Sequence, residues 1–239
     1  CHSSQSHLVH HSSWLPMQCE FLRLARDRAN CWYATPDERN HLGSTLGYPR
    51  VIVWPNTYHA LPADWRPKAI GNPITISLAG RWDVIKNWPN QILAVAMVAK
   101  VRPVRLAICV KDHAEKLHEF ATILGIESHV RPWAGKEEFR AWLSEVDIGL
   151  QCSFSESWNY VALDHMARGI PIVGSSAIRL LPPAIASECS PDDPGSIAKG
   201  IESAIAYYPD AAWQARAAAE DIVARQQKRL RDMIEIICS

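Results

Sequence analysis

Residues 74–110, ITISLAGRWDVIKNWPNQILAVAMVAKVRPVRLAICV, decide the fold of this chain. The stretch begins and ends with short apolar runs, 74–80 and 104–110, which have the length of buried strands. Between them, residues 87–101 form a longer apolar segment typical of a helix, with Pro89 in the first turn, where proline is tolerated. A strand, a helix and a second strand predict two parallel strands joined by a crossover helix.

The same alternation of short apolar runs and longer amphipathic segments continues toward the C-terminus. Further strands are predicted at 128–133, 147–153 and 170–175, and further helices at 112–125, 136–146, 159–169 and 192–208. This pattern predicts an α/β fold, a Rossmann-like parallel sheet with helices on both faces. In such sheets ligands bind beyond the carboxyl ends of the strands, so the loops that follow the strands form the candidate site.

The N-terminal residues predict a smaller, separate segment. Helical patterns and short apolar runs there indicate helices at 14–29 and 36–47 and strands at 31–35 and 50–54. The proline-rich stretch 55–67 has no periodicity and is the best candidate for a domain boundary. We expect three parts: a partial N-terminal segment at 1–58, a ligand-binding domain at 59–210, and a C-terminal helix at 211–239 that crosses back to the N-terminal part.

Composition disfavours several classes of protein. The chain has 25 basic and 25 acidic side chains, so it lacks the basic excess of a nucleic-acid binder. Its seven cysteines form no C-x-x-C pair and several lie in apolar runs, which indicates buried thiols in a reduced compartment. The sequence contains no signal peptide pattern and no run of ~18 apolar residues. We expect a cytoplasmic protein, with peripheral attachment to a membrane left open.

Motifs of other common enzymes and sites are missing from the sequence. There is no G-x-G-x-x-G, no G-x-x-x-x-G-K-[ST] and no G-x-S-x-G, which disfavours dehydrogenases, P-loop enzymes and α/β-hydrolases. The histidine-rich residues 1–13 fit no compact set of metal ligands, so a loop is preferred there over a metal site.

The loop after the strand at 74–80 carries two cations. Gly80 permits a tight turn, Arg81 follows at once, and Lys86 precedes the next helix. A guanidinium, an ammonium and a helix N-terminus together suit a diphosphate. The alternative is that both are solvated surface cations.

The loop after the strand at 147–153 carries two acids, Glu156 in the turn and Asp164 two helical turns further on. Backbone N–H groups near the start of the helix are free to bind phosphate or sugar oxygens, and they belong to Trp158, Asn159 and Tyr160. The Asp164 carboxylate could accept hydrogen bonds from vicinal hydroxyls. The alternative makes Glu156 a helix cap and Asp164 an exposed helix residue.

Two further loops are weaker candidates. Arg131, Pro132 and Trp133 lie at the end of a short strand and could flank a nucleobase, although Trp133 could equally be a packed aromatic residue. Ser175 and Ser176 are small polar residues at the same edge of the sheet.

Taken in chain order, these loops resemble the donor half of a GT-B glycosyltransferase, in particular the retaining enzymes of family 4, the glycosyl transferases of group 1. The resemblance covers residues 28 to 210 and is most specific in an E-x7-E-like segment followed by G-x-P. The matching segments are LAGRWDVIKN (78–87), ESWNYVALDHMARGIPIVGS (156–175), SPDDPGSIAKGI (190–201) and RVIVWPNTY (50–58).

The resemblance implies roles for the candidate residues. Arg81 and Lys86 would hold the diphosphate and stabilise the leaving group, Glu156 would contact the donor sugar, and Asp164 would bind the ribose hydroxyls. These cations would replace a metal, so no metal is expected. The implied catalytic residues are Glu156, Arg81 and Lys86; the implied donor-binding residues are Gly80, Arg81, Lys86, Arg131, Pro132, Trp133, Ser157, Trp158, Asn159, Tyr160 and Asp164.

Three residue-level departures from the family pattern affect donor choice. Asp164 stands where glutamate is usual, and Asn159 stands where glycine is usual, which narrows the approach of the backbone to a ligand. Residues 179–182, RLLP, lack the glycine-rich loop often found at that point.

The chain is also short for a two-domain GT-B enzyme. We therefore expect a fragment or truncated form of a retaining glycosyltransferase that moves a sugar from a nucleoside diphosphate to an unknown saccharide, lipid or other acceptor. The alternatives are a nucleotide-sugar-binding module without activity of its own and a GT-B sugar-nucleotide epimerase.

Overall fold

A computed structural model describes residues 32–34, 51–53, 55–58, 61–63, 65–133, 135–156, 158–178, 180–181 and 189–238. The chain divides by backbone proximity into two compact units. The first contains residues 1–59, 155–157 and 222–239, and the second contains residues 60–154 and 158–221.

In the first unit, two short strands pair in parallel. They are β1 (Trp32–Ala34) and β2 (Val51–Val53), with Trp32 opposite Val51. Both strands were predicted from their apolar runs. The predicted helices at 14–29 and 36–47 and the histidine-rich residues 1–13 lie outside the described residues.

The second unit contains a five-stranded parallel sheet whose strand order is β5-β4-β3-β6-β7. Its strands are β3 (Ile74–Arg81), β4 (Val104–Lys111), β5 (Glu127–Val130), β6 (Ile148–Gln151) and β7 (Ile172–Gly174). Chain order runs outward from β3 to β5 on one side and from β6 to β7 on the other. The topological switch point therefore lies between β3 and β6, where ligands bind in doubly wound sheets.

Helices alternate with these strands, and the α/β prediction is confirmed. The helices are α1 (Trp88–Ala99), α2 (Ala114–Ile123), α3 (Lys136–Trp142), α4 (Tyr160–Met166), α5 (Pro194–Ala206) and α6 (Tyr208–Cys238). The helix predicted over 136–146 ends earlier, at Trp142, and continues as a 3-10 turn over Leu143–Glu145. No helix in the described ranges is both long and apolar enough to cross a bilayer.

The two faces of the sheet bury different kinds of side chain. On the first face, large aliphatic residues such as Ile76 and Leu78 pack against α1, α2 and α5. Each such buried side chain stabilises the fold by roughly 1.5–3 kcal/mol. On the second face, the small residues Ala79, Ala107 and Cys109 pack against the aromatic rings of α3. Because side chains alternate along a strand, the odd-numbered residues of β3 and β4 belong to this second face.

The C-terminal end of α4 is fixed by an aromatic cluster. Gly169 ends the helix with φ +62°, and an added Cβ there would lie 2.2 Å from the Trp65 ring. Trp65 Nε1 donates a hydrogen bond to the Arg168 carbonyl (2.6 Å), and Arg216 Nη1 on α6 donates to the Ala167 carbonyl (2.6 Å). These bonds satisfy the carbonyls that directly follow α4, whose other end carries the candidate site.

Three of the cysteines, Cys109, Cys152 and Cys189, are buried free thiols, as predicted. A hydrogen bond with Cys189, together with burial, raises the pKa of the Cys152 thiol well above its ordinary value. The Cys152 thiol is therefore held in the protonated, unreactive form.

Candidate functional site

The loop after β3 presents Arg81 and Lys86 at the switch point. Gly80 has φ +149°, and a Cβ there would meet the Trp88 ring at 3.4 Å, so the strand ends tightly against α1. Arg81 is the last residue of β3 and its side chain is exposed. Lys86 ends a 3-10 turn that Asp83 caps by accepting a hydrogen bond from the Ile85 amide (3.1 Å).

Two buried amides, which the sequence did not single out, hold this loop in place. Asn87 Nδ2 donates to the Cys152 carbonyl (3.1 Å) and to the Pro191 carbonyl. Gln91 Nε2 donates to the Lys86 carbonyl (2.7 Å), while its Oε1 accepts from the Cys152 amide (3.0 Å). The Lys86 loop is thus tied to the residue that follows β6.

A third buried amide, Gln151 at the end of β6, connects the end of β3 to the start of α4. Its Nε2 donates to the Ala79 carbonyl (2.9 Å), and its Oε1 accepts from Asn159 Nδ2 (3.0 Å). Gln151 is 1% exposed, so both bonds are shielded from water. This connection joins the end of β3, which carries Arg81, and the helix that carries Asp164 into one hydrogen-bonded unit.

Asn159 has a structural reason to stand where the family has glycine. It is the N-cap of α4 with φ 56° and ψ 70°, a left-handed conformation that asparagine tolerates better than most residues. Its Oδ1 accepts from the Ala162 amide (2.9 Å) while its Nδ2 bonds Gln151. These two bonds turn the side chain into the protein, away from the approach of a ligand to the backbone.

Asp164 is buried, and the alternative of an exposed helix residue is wrong. It is 6% exposed, and its Oδ1 accepts a hydrogen bond from Arg140 Nε on α3 (3.1 Å). Arg140 also pairs with Glu137 (3.1 Å). Burying a carboxylate is costly without a cationic partner, and Arg140 supplies that partner inside the protein.

The other predicted residues of this loop differ in their exposure and in the compact unit to which they belong. Tyr160 is exposed and Trp158 is half-buried, both in the second unit, whereas Ser157 lies outside the described residues. Glu156 is partly exposed and belongs to residues 155–157, which group with the first unit. The structure therefore brings Gly80, Arg81, Lys86, Asn159 and Asp164 together within one unit, and Glu156 belongs to the other.

Beyond β5, residues 131–133 line a cavity of about 700 Å³ between the sheet and α3. The Arg131 amide donates to the Ile108 carbonyl (2.8 Å), which extends the strand pairing by one residue. The Trp133 ring stacks on Phe139, with centroids 6.4 Å apart and planes inclined by 28°, yet the residue is 45% exposed. Trp133 is therefore a packed aromatic residue that also presents a free face to the cavity.

Ser175 is structural, because its hydroxyl donates to the Ser153 carbonyl (2.5 Å). His165, one residue after Asp164, was not predicted as a site residue and is fully buried. It contacts Ser77 Oγ on β3 through Nε2 (2.7 Å) and the Val161 carbonyl through Nδ1 (2.7 Å). Burial lowers its pKa to about 4, so at neutral pH it is an uncharged link between α4 and the sheet.

Among the residues that the structure describes, no group of three or more histidine, cysteine, aspartate or glutamate side chains could hold a metal ion. The polar groups at the switch point are instead two cations, a paired carboxylate and buried amides. A parallel sheet with these groups beyond its carboxyl edge has the arrangement of a nucleotide-binding α/β domain.

Comparison with known proteins gives the family. Residues 73–206, more than half of the chain, match the family described as Glycosyl transferases group 1, and the chain belongs to this family. It is a glycosyltransferase-family protein, as its sequence motifs predicted. No curated protein matches the chain.

Solved structures share the fold at low sequence identity. Anabaena Alr3699/HepE, determined with UDP and glucose, matches with a TM-score of 0.69 and 18% identity over 99% of this chain and 68% of its own. S. aureus TarM matches with a TM-score of 0.70 and 14% identity over 90% of this chain, which spans 45% of the TarM chain. The catalytic domain of the Helicobacter pylori cholesterol-α-glucosyltransferase matches with a TM-score of 0.54 and 16% identity, over 64% of this chain and 99% of that domain.

Proposed function

We propose that this chain binds a nucleoside-diphosphate sugar and is the donor-binding part of a retaining glycosyltransferase. The observation that supports this most is the buried Gln151, which joins the end of β3, where Arg81 lies, to α4 through the Ala79 carbonyl and Asn159. Such a connection fixes the cations and the carboxylate relative to each other before a ligand arrives, which reduces the ordering cost of binding.

The cations Arg81 and Lys86 bind the diphosphate in this proposal. Arg81 offers a fork of N–H donors, and Lys86 offers a mobile point charge from the adjacent turn. As the bond between the sugar and the diphosphate breaks, negative charge grows on the leaving phosphate. Fixed positive charges stabilise that transition state more than the ground state, so they accelerate the reaction. The same cations take the place of a divalent metal.

The nucleoside binds along the second face of the sheet in this proposal. Arg140 donates to one oxygen of the Asp164 carboxylate, and in this proposal the ribose hydroxyls donate to the same carboxylate. Residues 131–133 flank the base, with the exposed face of Trp133 available for stacking.

The donor sugar is contacted by Glu156 and by the backbone of residues 157–160, a set that includes Ser157, Trp158 and Tyr160. Residues 59–210 are the proposed donor-binding domain, and 1–58 and 211–239 are the proposed acceptor-side segment and its returning helix. Retention of configuration follows from the family resemblance, and the acceptor is a saccharide, a lipid or another molecule. The buried free thiols support a reducing compartment such as the cytoplasm.

Isothermal titration with UDP, GDP, ADP and their glucose conjugates tests this proposal. At least one nucleoside diphosphate is expected to bind, and Arg81→Met or Lys86→Met is expected to weaken it about tenfold or more, because each removes a charge-assisted hydrogen bond. Lys100→Met is the matched control, since Lys100 is an exposed lysine at the opposite end of α1. Folded wild-type protein that binds none of the ligands refutes the proposal.

Product analysis separates the proposed function from its alternatives. Release of free sugar, or its transfer to added saccharide or lipid acceptors with the configuration retained, supports the transferase. Donor binding without either reaction identifies a binding module, and conversion of one nucleotide sugar into its epimer identifies an epimerase.

A further inference from the structure

We propose that Lys111, at the carboxyl end of β4, binds the α-phosphate of the nucleotide donor; this inference rests on the proposed function. Lys111 is the register partner of Arg81, the last residue of β3. Neighbouring strands lie about 4.8 Å apart, and register partners project from the same face of a parallel sheet. The two exposed cations are therefore side by side on the second face, the face that packs against α3.

Arg131 extends this pair to a row of three cations across β3, β4 and β5. Val130 pairs with Ile108, whose side chain belongs to the first face, so the next residue, Arg131, belongs to the second face together with Lys111. Within the described part of the chain, neither Arg81, Lys111 nor Arg131 forms an ion pair with an acidic side chain. Three unneutralised cations at one sheet edge make a strong local site for an anionic ligand.

The backbone on both sides of Lys111 holds it in this row. The Trp82 amide donates to the Lys111 carbonyl (3.0 Å), which continues the pairing of β3 with β4 past Arg81. After Lys111 the chain turns through two left-handed residues, the second of which is His113 with φ 53°. The Trp82 ring then packs against the edge of His113 (5.3 Å between centroids) and beneath the Lys116 ammonium (5.9 Å). The turn after β4 is thus held against the loop after β3 by these contacts.

The strand order assigns the part of the ligand that Lys111 meets. β4 lies between β5, whose end carries the proposed base-binding residues 131–133, and β3, whose end carries the proposed diphosphate-binding residues Arg81 and Lys86. In a nucleoside diphosphate, the ribose and the α-phosphate lie between the base and the terminal phosphate. A lysine ammonium complements the charged α-phosphate, whereas the neutral ribose needs an acceptor such as Asp164.

The test compares three ligands of one base: the nucleoside diphosphate among UDP, GDP and ADP that binds the wild-type chain best, its monophosphate and its nucleoside. Affinities are measured by calorimetric titration, or by ligand-observed NMR where binding is weak. Lys111→Met is expected to weaken the diphosphate and the monophosphate by a similar factor of about ten, because both carry the α-phosphate, and to leave the nucleoside unchanged. Lys111→Arg should restore most of the loss, and Lys100→Met should show none.

Several outcomes overturn the proposal. Unchanged binding of the diphosphate by Lys111→Met removes Lys111 from the site while the proposed function stands. If Lys111→Met loses affinity only for the diphosphate, Lys111 contacts the terminal phosphate instead of the α-phosphate. If it loses affinity equally for the nucleoside, the substitution has damaged the fold and no phosphate contact is shown. A wild-type chain that binds no nucleoside diphosphate refutes the proposed function and this inference together. Thermal unfolding of each variant confirms that an exposed side chain was changed without loss of structure.

Discussion

Replacing Gln151 by methionine tests whether one buried amide holds the two ligand loops together. Methionine has nearly the same length and volume, so the substitution removes both hydrogen bonds without opening a large cavity. What remains is a buried Ala79 carbonyl and a buried Asn159 amide that have each lost a partner at 2.9 and 3.0 Å.

The magnitude follows from the burial of these groups. Leaving one buried polar group without its partner costs about 1–3 kcal/mol, and the thioether of methionine is too weak an acceptor to compensate. Two such groups predict a loss of about 2–6 kcal/mol in the free energy of unfolding of the second unit. That loss would be a large fraction of the ~5–15 kcal/mol that stabilises a typical domain.

Urea unfolding monitored by tryptophan fluorescence measures this loss. Gln214→Met is the control, because Gln214 is an exposed residue of α6 and its replacement should change stability by no more than about 0.5 kcal/mol. If Gln151→Met is as stable as Gln214→Met, the Gln151 bonds do not hold the loops. A second readout is affinity for the nucleoside diphosphate that the wild-type chain binds, which should fall because α4 is no longer fixed relative to Arg81.

Two further predictions concern the packing of α4. Gly169→Ala should destabilise the protein by more than about 2 kcal/mol in urea unfolding, because the new Cβ would lie 2.2 Å from the Trp65 ring. The control is Gly125→Ala, which is also left-handed but has nothing within 4 Å of the new Cβ, so it should cost only the backbone strain of about 1 kcal/mol. Equal losses for the two variants would refute the packing explanation. Burial lowers the pKa of His165 from 6.5 to about 4 in the folded protein, so the unfolded chain takes up a proton first as the pH falls. The free energy of unfolding should therefore decrease by about 3 kcal/mol between pH 6.5 and pH 4. An NMR titration midpoint near 6.5 for His165 would contradict this.

The sheet was predictable from sequence because parallel strands are buried on both faces. Each strand is then a short apolar run, as in residues 74–80 and 104–110, and the intervening segments have helical length. The Arg81 and Lys86 loop was predictable for a related reason, since any polar residue that directly follows such a run must lie at the carboxyl edge of the sheet.

The buried polar connections were not predictable in the same way. Gln91 and Gln151 look in sequence like ordinary polar residues, and only the packing of distant segments makes them buried links. Asp164 looks like an exposed helix residue because its partner Arg140 is on a different helix, 24 residues away in the chain. Periodicity reports which face of an element is apolar, but it does not report which polar groups meet across two elements.

Asn159 shows how a departure from the family pattern is accommodated. Glycine at this position would adopt the left-handed conformation freely, but it could neither cap the Ala162 amide nor bond Gln151. Asparagine accepts a modest conformational cost and makes both bonds, at 2.9 and 3.0 Å. Since Gln151 also binds the carbonyl next to Gly80, the substitution links the start of α4 to the end of β3. In this chain Asn159 and Gln151 act together, because each bonds the other and Gln151 also bonds β3. Replacing Asn159 with glycine restores the family residue, but it should leave the end of β3 that carries Arg81 less firmly held.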